Sequence, residues 1–297
     1  MVVYLLGNYL VESGRLTDEQ LQKAIARQNE VRVKMGLIAV AEGMMTSEQA
    51  EEVNRLQATM DKRFGDIAVE KGYLTDEQIG NLLKKQGNAY MSFAQVLVDE
   101  GFIGLQELDT IMDEFQQKNG FSRSEMEDLK SDEPERVVPL FLPPEAMVYN
   151  EVVSIVVKTL IRCADRNVYI GKATWSDEAT VNVGAFQKTV DYSAPVDGFT
   201  SIELGITEGD GGLAKIAALF CKEENLDEED MLDASGELLN CISGLYATAL
   251  SRKGVDSELL PPVLQVEETA VMKEQGICSV PLYIGSKKAM FTVVGRK

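Results

Sequence analysis

Histidine is absent from the 297-residue sequence, and tryptophan occurs only once. The lack of imidazole excludes histidine-based acid–base catalysis and most zinc sites. The four cysteines form no Cys-x-x-Cys pair, which predicts reduced core thiols in a cytoplasmic protein. No Gly-x-x-x-x-Gly-Lys-Ser/Thr motif is present, so the sequence carries no Walker-type nucleotide site. We expect neither a metal site nor a cofactor that belongs to this chain.

Basic residues are also scarce. The sequence has 29 Lys and Arg against 48 Asp and Glu, a formal net charge of −19. Such a charge repels nucleic acids and acidic membranes, so neither is expected as a partner. The apolar stretch Val2–Leu10 is too short to span a bilayer and has no basic region before it, which predicts a cytoplasmic protein without a signal peptide.

The first part of the sequence is a repeat with a period of 29 residues. Each unit has a short apolar helix that ends at a glycine, and then a second helix capped by Thr with Gln three residues later. The fourth copy is looser, with Gly104 at the cap and Phe115 in place of the final Gln. The fixed period predicts an all-α repeat domain over residues 1–117, made of four stacked units. The positions in register are Gly7, Gly36, Gly65 and Ala94, then Gly14, Gly43, Gly72 and Gly101, and the caps are Thr17/Gln20, Thr46/Gln49 and Thr75/Gln78.

Two of these repeats carry a further pattern. One runs from Arg63-Phe64-Gly65 to Gln86, and the preceding one runs from Lys34-Met35-Gly36 to Gln57, with five residues between them. This pattern resembles the MshEN domain, the N-terminal module of type II secretion and pilus ATPases, some of which bind cyclic di-GMP. The resemblance implies that Arg63 contacts phosphate or guanine and that Gln57 and Gln86 are further contacts. A scaffold built only from turn glycines and packing leucines is the alternative.

Residues 118–147 are predicted to be a linker, because Ser122–Arg136 is highly charged and three prolines follow. Residues 148–297 then read as an α+β domain in which helices cover an antiparallel sheet. The elements expected from periodicity are a helix at 150–164, strands at 168–175, 179–189 and 198–207, helices at 211–223 and 228–252, and strands at 264–269, 277–284 and 288–294.

The helix at 228–252 carries the candidate site. Its apolar stripe is expected to comprise Leu238, Leu239, Ile242, Leu245, Tyr246 and Ala249. Glu237 and Asn240 lie about 60° apart on the opposite face, so both should point outward. Small residues surround them and should let another protein's backbone approach, which predicts a docking surface formed by Gly236, Ser243, Gly244 and Ala247. The alternative is a solvated face that happens to be polar.

The stretch Ser235-Gly236-Glu237-Leu238-Leu239-Asn240, with Ile242-Ser243-Gly244 and the helix end at Leu250–Gly254, resembles the CheC/CheX/FliY family of chemotaxis phosphatases. The resemblance implies an enzyme that removes phosphate from the aspartyl phosphate of a CheY-like receiver domain, which supplies its own Mg²⁺. By resemblance, Asn240 places the attacking water and Glu237 pairs with the receiver's lysine.

Some family members carry a second Glu-x-x-Asn on their first helix. This sequence has Glu151-Val152-Val153-Ser154 there, so one catalytic site is expected, as in the CheX-type members, which form homodimers. The alternative function is a signalling scaffold without catalysis that binds a receiver or a pilus or secretion component, or that acts as a cyclic di-GMP receptor through its repeats.

Overall fold

The computed structural model describes residues 1–164, 168–190, 192–193 and 195–296, without the side chains of 189, 190 and 267–269. Internal contacts divide the chain into two compact units, one of residues Val2–Asp132 and one of Glu133–Lys297 together with Met1. The first is mostly helical, and the second combines helices with an antiparallel sheet. Within the described ranges, no helix is both long enough and apolar enough to cross a membrane.

The N-terminal unit is a series of helix pairs that follows the sequence repeat. The pairs are α1 (Val2–Glu12) with α2 (Asp18–Arg27), α3 (Met35–Ala41) with α4 (Ser47–Gln57), α5 (Phe64–Glu70) with α6 (Asp76–Lys84), and α7 (Ala89–Asp99) with α8 (Glu107–Asn119). The glycine between the helices of each pair has a positive φ, of 72°, 65°, 71° and 68° in order, a backbone conformation that favours glycine.

The predicted caps of the second helices are confirmed. In α2, α4 and α6 the Thr hydroxyl accepts from the backbone N–H of the Gln, and the Gln side chain accepts from the N–H of the Thr. In the fourth repeat, the N–H of Gly104 donates to the Glu107 carboxylate at 2.7 Å, which is half of the same device. Phe115 is buried and packs edge-on against Tyr9, with ring centroids 5.5 Å apart, so the first and fourth repeats are in contact.

The region predicted to be a linker, residues 118–147, consists largely of short helices. Helix α9 (Arg123–Ser131) has a capping box between Ser122 and Glu125 and belongs to the N-terminal unit. Helix α10 (Pro134–Val137) and two 3₁₀ helices, Val138–Phe141 and Pro144–Tyr149, belong to the C-terminal unit. The composition of this region is dominated by charged residues. Its few apolar side chains are nevertheless buried and hold the short helices in place, among them Met126, Leu129, Val137 and Phe141.

The C-terminal unit has the predicted order of helix, three strands, two helices and three strands, with different strand bounds. Its elements are α11 (Asn150–Cys163), β1 (Val168–Ile170), β2 (Thr174–Val190), β3 (Ser201–Asp210), α12 (Gly212–Cys221), α13 (Glu228–Arg252), β4 (Glu258–Leu259), β5 (Val263–Ile284) and β6 (Lys287–Arg296). The strands predicted at 264–269 and 277–284 form one continuous strand, β5. The last residues of the strand predicted at 168–175 instead begin β2, which continues through 179–189.

The sheet has the strand order β1-β5-β6-β3-β2-β4, with all strand pairs antiparallel. The long strand β2 also pairs with β5, so it has neighbours on both sides near Ala185, which lies opposite Ile206 and Leu264. Helix α13 packs against α11, α12 and β2. This arrangement brings the middle of α13 next to the second half of β2.

The cysteine environments differ from the prediction of core thiols. Only Cys278 is buried, whereas Cys221 and Cys241 are exposed and Cys163 is partly exposed. A small residue at the edge of a helix's buried face can be either buried or exposed. The local sequence does not decide which, and this applies to Cys163, Cys221 and Cys241.

Candidate functional site on helix α13

Helix α13 begins and ends where the sequence predicts. The Asp227 carboxylate accepts from the N–H of Asp230 at 2.9 Å, and three acidic residues in the first turn face the positive end of the helix dipole. The helix ends at Arg252, just before Gly254, whose φ is 79°. The acidic run at residues 227–230 thus forms a helix start.

The buried side of α13 is mostly the predicted one. Leu238, Leu239 and Ile242 have no exposed surface, and Tyr246 is 6% exposed. Leu245 was predicted to be buried, but it is 45% exposed. It follows Glu237 and Cys241 at spacings of four residues and so lies on their side of the helix. An exposed apolar side chain therefore stands beside the candidate site.

Glu237 and Asn240 are both exposed, as the helical spacing predicts, while their roles remain predictions. They differ in their surroundings. Within the described part of the chain, Glu237 has no hydrogen-bond or ion-pair partner. Asn240 lies at the edge of the exposed face and is hydrogen-bonded to a side chain of the sheet.

The hydrogen bond to Asn240 comes from the buried side chain of Gln187 on β2. Its Nε2 donates to Oδ1 of Asn240 at 2.9 Å and to the backbone carbonyl of Leu260 at 2.8 Å. Gln187 was not among the predicted site residues. The sequence does contain a signal for this residue. Side chains alternate along a strand, and Gln187 is an amide in the same alternating series as Val181 and Ala185, which are buried.

Two of the four residues predicted to form the docking surface are buried, and docking by the other two stays a prediction. Gly236 and Ser243 are buried, not outward. Gly236 lies under the chain that follows β4, where an added Cβ would meet Pro262 and Leu264 at 3.5 Å. Ser243 has no exposed surface. Gly244 and Ala247 remain partly exposed, and beyond the adjacent helix backbone no atom of the described residues lies within 4 Å of the Cβ position of Gly244. These two residues are left as the small-residue part of the surface.

Electrostatics around Glu237 do not favour a thiolate. Partial burial raises the pKa of the neighbouring, largely exposed Cys241 thiol, and the nearby Cys163 and Glu237 add to the rise. The thiol therefore stays neutral at ordinary pH and offers no nucleophile. The chemistry of this face rests on one carboxylate and one amide.

Helix α11 offers no second Glu-x-x-Asn site. The Glu151 carboxylate accepts a hydrogen bond from the Lys253 ammonium at 2.7 Å. Ser154 is buried, and its hydroxyl donates to the Asn150 side chain at 3.4 Å. A buried serine cannot reach a docked protein, so among the described residues of the C-terminal unit the only Glu-x-x-Asn pair is the one on α13.

The residues proposed for nucleotide contact in the N-terminal unit lie in two places. Arg63 is exposed and forms two hydrogen bonds to Asp66, of 3.0 and 3.2 Å. Gln57 donates to the carbonyl of Lys62, next to Arg63, at 3.4 Å. Gln86 donates instead to the carbonyl of Val33, at 3.1 Å. Both amides thus hold backbone, and cyclic di-GMP binding stays a prediction.

The site lies inside a region that matches a known family. Residues 193–282 match the family model described as "Chemotaxis phosphatase CheX". A comparison with curated proteins gives no significant match.

Solved structures similar to this chain include a CheC-like superfamily protein from Shewanella sp. PV-4, with 20% identity, 51% of this chain and 97% of that chain covered, and a TM-score of 0.41. Chemotaxis protein CheX from Vibrio vulnificus has 18% identity, with 49% and 97% covered and a TM-score of 0.41. A chain of a CheX–CheY–BeF₃–Mg²⁺ complex from Borrelia burgdorferi has 18% identity, with 50% and 98% covered and a TM-score of 0.34. The assignment rests on the family match: the C-terminal region of this chain, residues 193–282, is a CheX-like domain.

Proposed function

We propose that this protein hydrolyses the aspartyl phosphate of a response-regulator receiver domain. The observation that carries the proposal is the pair Glu237 and Asn240, exposed one turn apart on α13 within the region that matches a chemotaxis phosphatase family. The pair supplies one charge and one neutral amide on a surface that a second protein can reach.

The reaction needs little covalent chemistry from this chain. Water attacks phosphorus, the bond between phosphorus and the aspartyl oxygen breaks, and the products are free aspartate and inorganic phosphate. The receiver supplies Mg²⁺ and a lysine that neutralise the phosphoryl charge. The helper protein must dock and orient the attacking water in line with the leaving oxygen.

Asn240 suits the second task because an amide both donates and accepts hydrogen bonds. One lone pair of Oδ1 is used by Gln187. The remaining lone pair and the two N–H groups are sufficient to accept from a water molecule and to donate to a phosphoryl oxygen. A carboxylate in this position would repel the phosphoryl group, so an uncharged side chain is the better one here.

Glu237 suits docking. Its carboxylate is exposed on the turn before Asn240 and is available to pair with a lysine of the receiver. Gly244 and Ala247 leave room for the receiver's backbone on the next turns. The exposed Leu245 adds an apolar contact at the margin of this surface.

The homodimer expected from the resemblance is part of the proposal. Three valines of β5 are more than half exposed, Val263 at 69%, Val266 at 68% and Val271 at 53%. Covering such valines with a second copy would remove apolar area from water, which is the usual driving force of such contacts.

The test is dephosphorylation of a phosphorylated CheY-like receiver, with Mg²⁺ present, by the wild type and by Glu237→Lys and Asn240→Ala. We expect Asn240→Ala to lower kcat by a factor of roughly 10²–10⁴, the range for a lost positioning group. We expect Glu237→Lys to raise KM, because like charges then meet at the interface.

Matched controls are Glu145→Lys, an exposed charge reversal in the 3₁₀ helix Pro144–Tyr149, and Asn54→Ala, an exposed amide removal on α4. Both should retain wild-type rates. If the wild type accelerates no receiver but still binds one through Glu237, the protein is a docking scaffold without catalysis. Unchanged kcat in Asn240→Ala would remove the role assigned to that residue.

A further inference from the structure

We infer that Gln187 is a positioning residue that fixes the amide of Asn240 in one orientation, an inference that rests on the proposed function of Asn240. The side chain of Gln187 does not reach the surface, since the residue is 2% exposed. It acts on the reaction only through Asn240.

Two hydrogen bonds define the arrangement. The Nε2 group of Gln187 donates to Asn240 Oδ1 at 2.9 Å and to the Leu260 carbonyl at 2.8 Å. Both distances are those of good N–H···O bonds. The N–H of Leu260 in turn donates to the carbonyl of Lys188 at 3.1 Å, which fixes this stretch of chain against β2. Gln187 therefore joins three pieces of the fold: the strand, the segment after β4 and the candidate catalytic helix.

The backbone carbonyl decides which way each amide faces. A carbonyl oxygen can only accept, so the group of Gln187 that faces Leu260 must be the NH₂ group. The same NH₂ group faces Asn240, so Asn240 must present its oxygen to it. The orientation of the Asn240 amide thus follows from a backbone atom that cannot rotate, through one intervening side chain. One lone pair of Oδ1 is held by Gln187, and the other lone pair and the NH₂ group are left for water and a docked partner.

The amide at position 187 also carries a cost for the fold. Its Oε1 atom is buried and, among the described residues, has no hydrogen-bond partner. A buried polar atom without a partner is unfavourable, and Val181 and Ala185, which are also buried on β2, are apolar. Methionine would fill a similar volume at position 187 without this penalty. Methionine could donate neither to the Leu260 carbonyl nor to Asn240.

A fixed amide affects the chemical step and not docking. An asparagine free to rotate about χ1 and χ2 would present its oxygen and its NH₂ group in turn, and only one orientation places water in line with phosphorus. If Asn240 is already fixed in the productive orientation before the receiver binds, the reaction rate is not lowered by the time spent in the other orientation. The expected signature of Gln187 is therefore in kcat, with KM set by Glu237 and the rest of the surface.

The test is Gln187→Met in the full-length protein, assayed on a phosphorylated receiver. We expect kcat to fall roughly tenfold, the factor for one lost hydrogen bond that orients a reacting group, with KM unchanged. The same substitution in an Asn240→Ala background should lower kcat no further, because Gln187 acts through Asn240. The control is Thr292→Val, a same-shape removal of a buried hydroxyl on β6, which should leave kcat unchanged. Equal losses from Gln187→Met in both backgrounds would overturn the inference.

A second measurement does not depend on activity. The side-chain ¹⁵N order parameter of Asn240, assigned by comparison with Asn240→Ala, should approach that of the rigid backbone in the wild type and fall in Gln187→Met. If Asn240 is equally ordered in both proteins, Gln187 does not position it, whatever the rates are. If the wild type hydrolyses no receiver while the order parameter falls as expected, the proposed function fails but the contact stands.

Discussion

Gly236 and Gly244 lie about two turns apart on α13. Replacing each by alanine adds the same methyl group, at a buried position in the first case and at a partly exposed position in the second. A methyl group at Gly236 would meet Pro262 and Leu264 at 3.5 Å, an ordinary van der Waals distance. A methyl group at Gly244 would meet no atom of the described residues within 4 Å apart from the adjacent helix backbone. Alanine therefore fits at both positions, and the two variants differ in whether the new methyl group is buried.

The expected magnitudes follow from two contributions. Glycine inside a helix is about 1 kcal/mol less favourable than alanine, so each substitution should raise the free energy of unfolding by about that amount. The methyl group at position 236 is also buried, which adds up to about 0.8 kcal/mol. We expect a gain of about 1 kcal/mol for Gly244→Ala and between about 1 and 2 kcal/mol for Gly236→Ala.

The assay is urea unfolding followed by the fluorescence of Trp175. This is the sole tryptophan of the sequence and lies in the C-terminal unit, so its signal reports that unit within the full-length protein. Activity distinguishes the two faces. Gly236→Ala should leave KM for the phosphorylated receiver unchanged. Gly244→Leu should raise KM at least roughly fivefold, because a bulky side chain in a close interface costs about 1 kcal/mol or more.

Two results would refute this reasoning. A lower unfolding midpoint for Gly236→Ala would mean that the contact with Pro262 and Leu264 has no room for a methyl group. An unchanged KM for Gly244→Leu would mean that the receiver does not approach this side of α13, and the docking surface would have to be moved away from Gly244.

The remaining predictions concern the N-terminal unit. Thr75→Ala removes the hydroxyl that accepts from Gln78 N–H, so the free energy of unfolding should fall by about 1 kcal/mol, seen as an earlier urea transition in far-UV circular dichroism; an unmoved transition would contradict the cap. Burial lowers the pKa of Lys130, whose ammonium lies 5.4 Å from the centre of the Tyr90 ring. The unfolded chain then binds the proton more strongly, so stability should rise with pH from the lowered pKa toward about 10.4. Lys130→Met should remove this rise, and an equal slope of urea midpoint against pH in the variant would assign it to another group.

Local signals predicted the local structure well. The bounds of α13 follow from the Asp227 cap and the stripe of apolar residues, and the caps at Thr17, Thr46 and Thr75 follow from a spacing of three residues. Each of these depends on atoms within one turn of chain. The repeat period fixed the helix pairs for the same reason, because every unit carries its own start and stop signals.

Tertiary neighbours decided the rest. Gly236 and Ser243 lie on the edge of the helix face, and the chain around Pro262 covers Gly236, so no helical spacing could have assigned it to the outside or the inside. Leu245 was placed in the buried stripe because it is apolar, although its angle is that of the exposed side. The bond between Gln187 and Asn240 joins residues 53 positions apart and depends on how β2 and α13 pack.

The two residues of the candidate site have opposite surroundings, and each suits its proposed task. A docking carboxylate gains from freedom, because it must meet a lysine whose position varies as two proteins approach, and Glu237 has no partner within the described part of the chain. A group that orients water gains from being fixed, because a displacement of about 1 Å lowers the rate by roughly a hundredfold. Only a residue at the edge of an exposed helix face can be reached by a partner protein and also be held by the strand beneath it. Asn240 lies at this edge, three residues from Glu237 and bonded to Gln187.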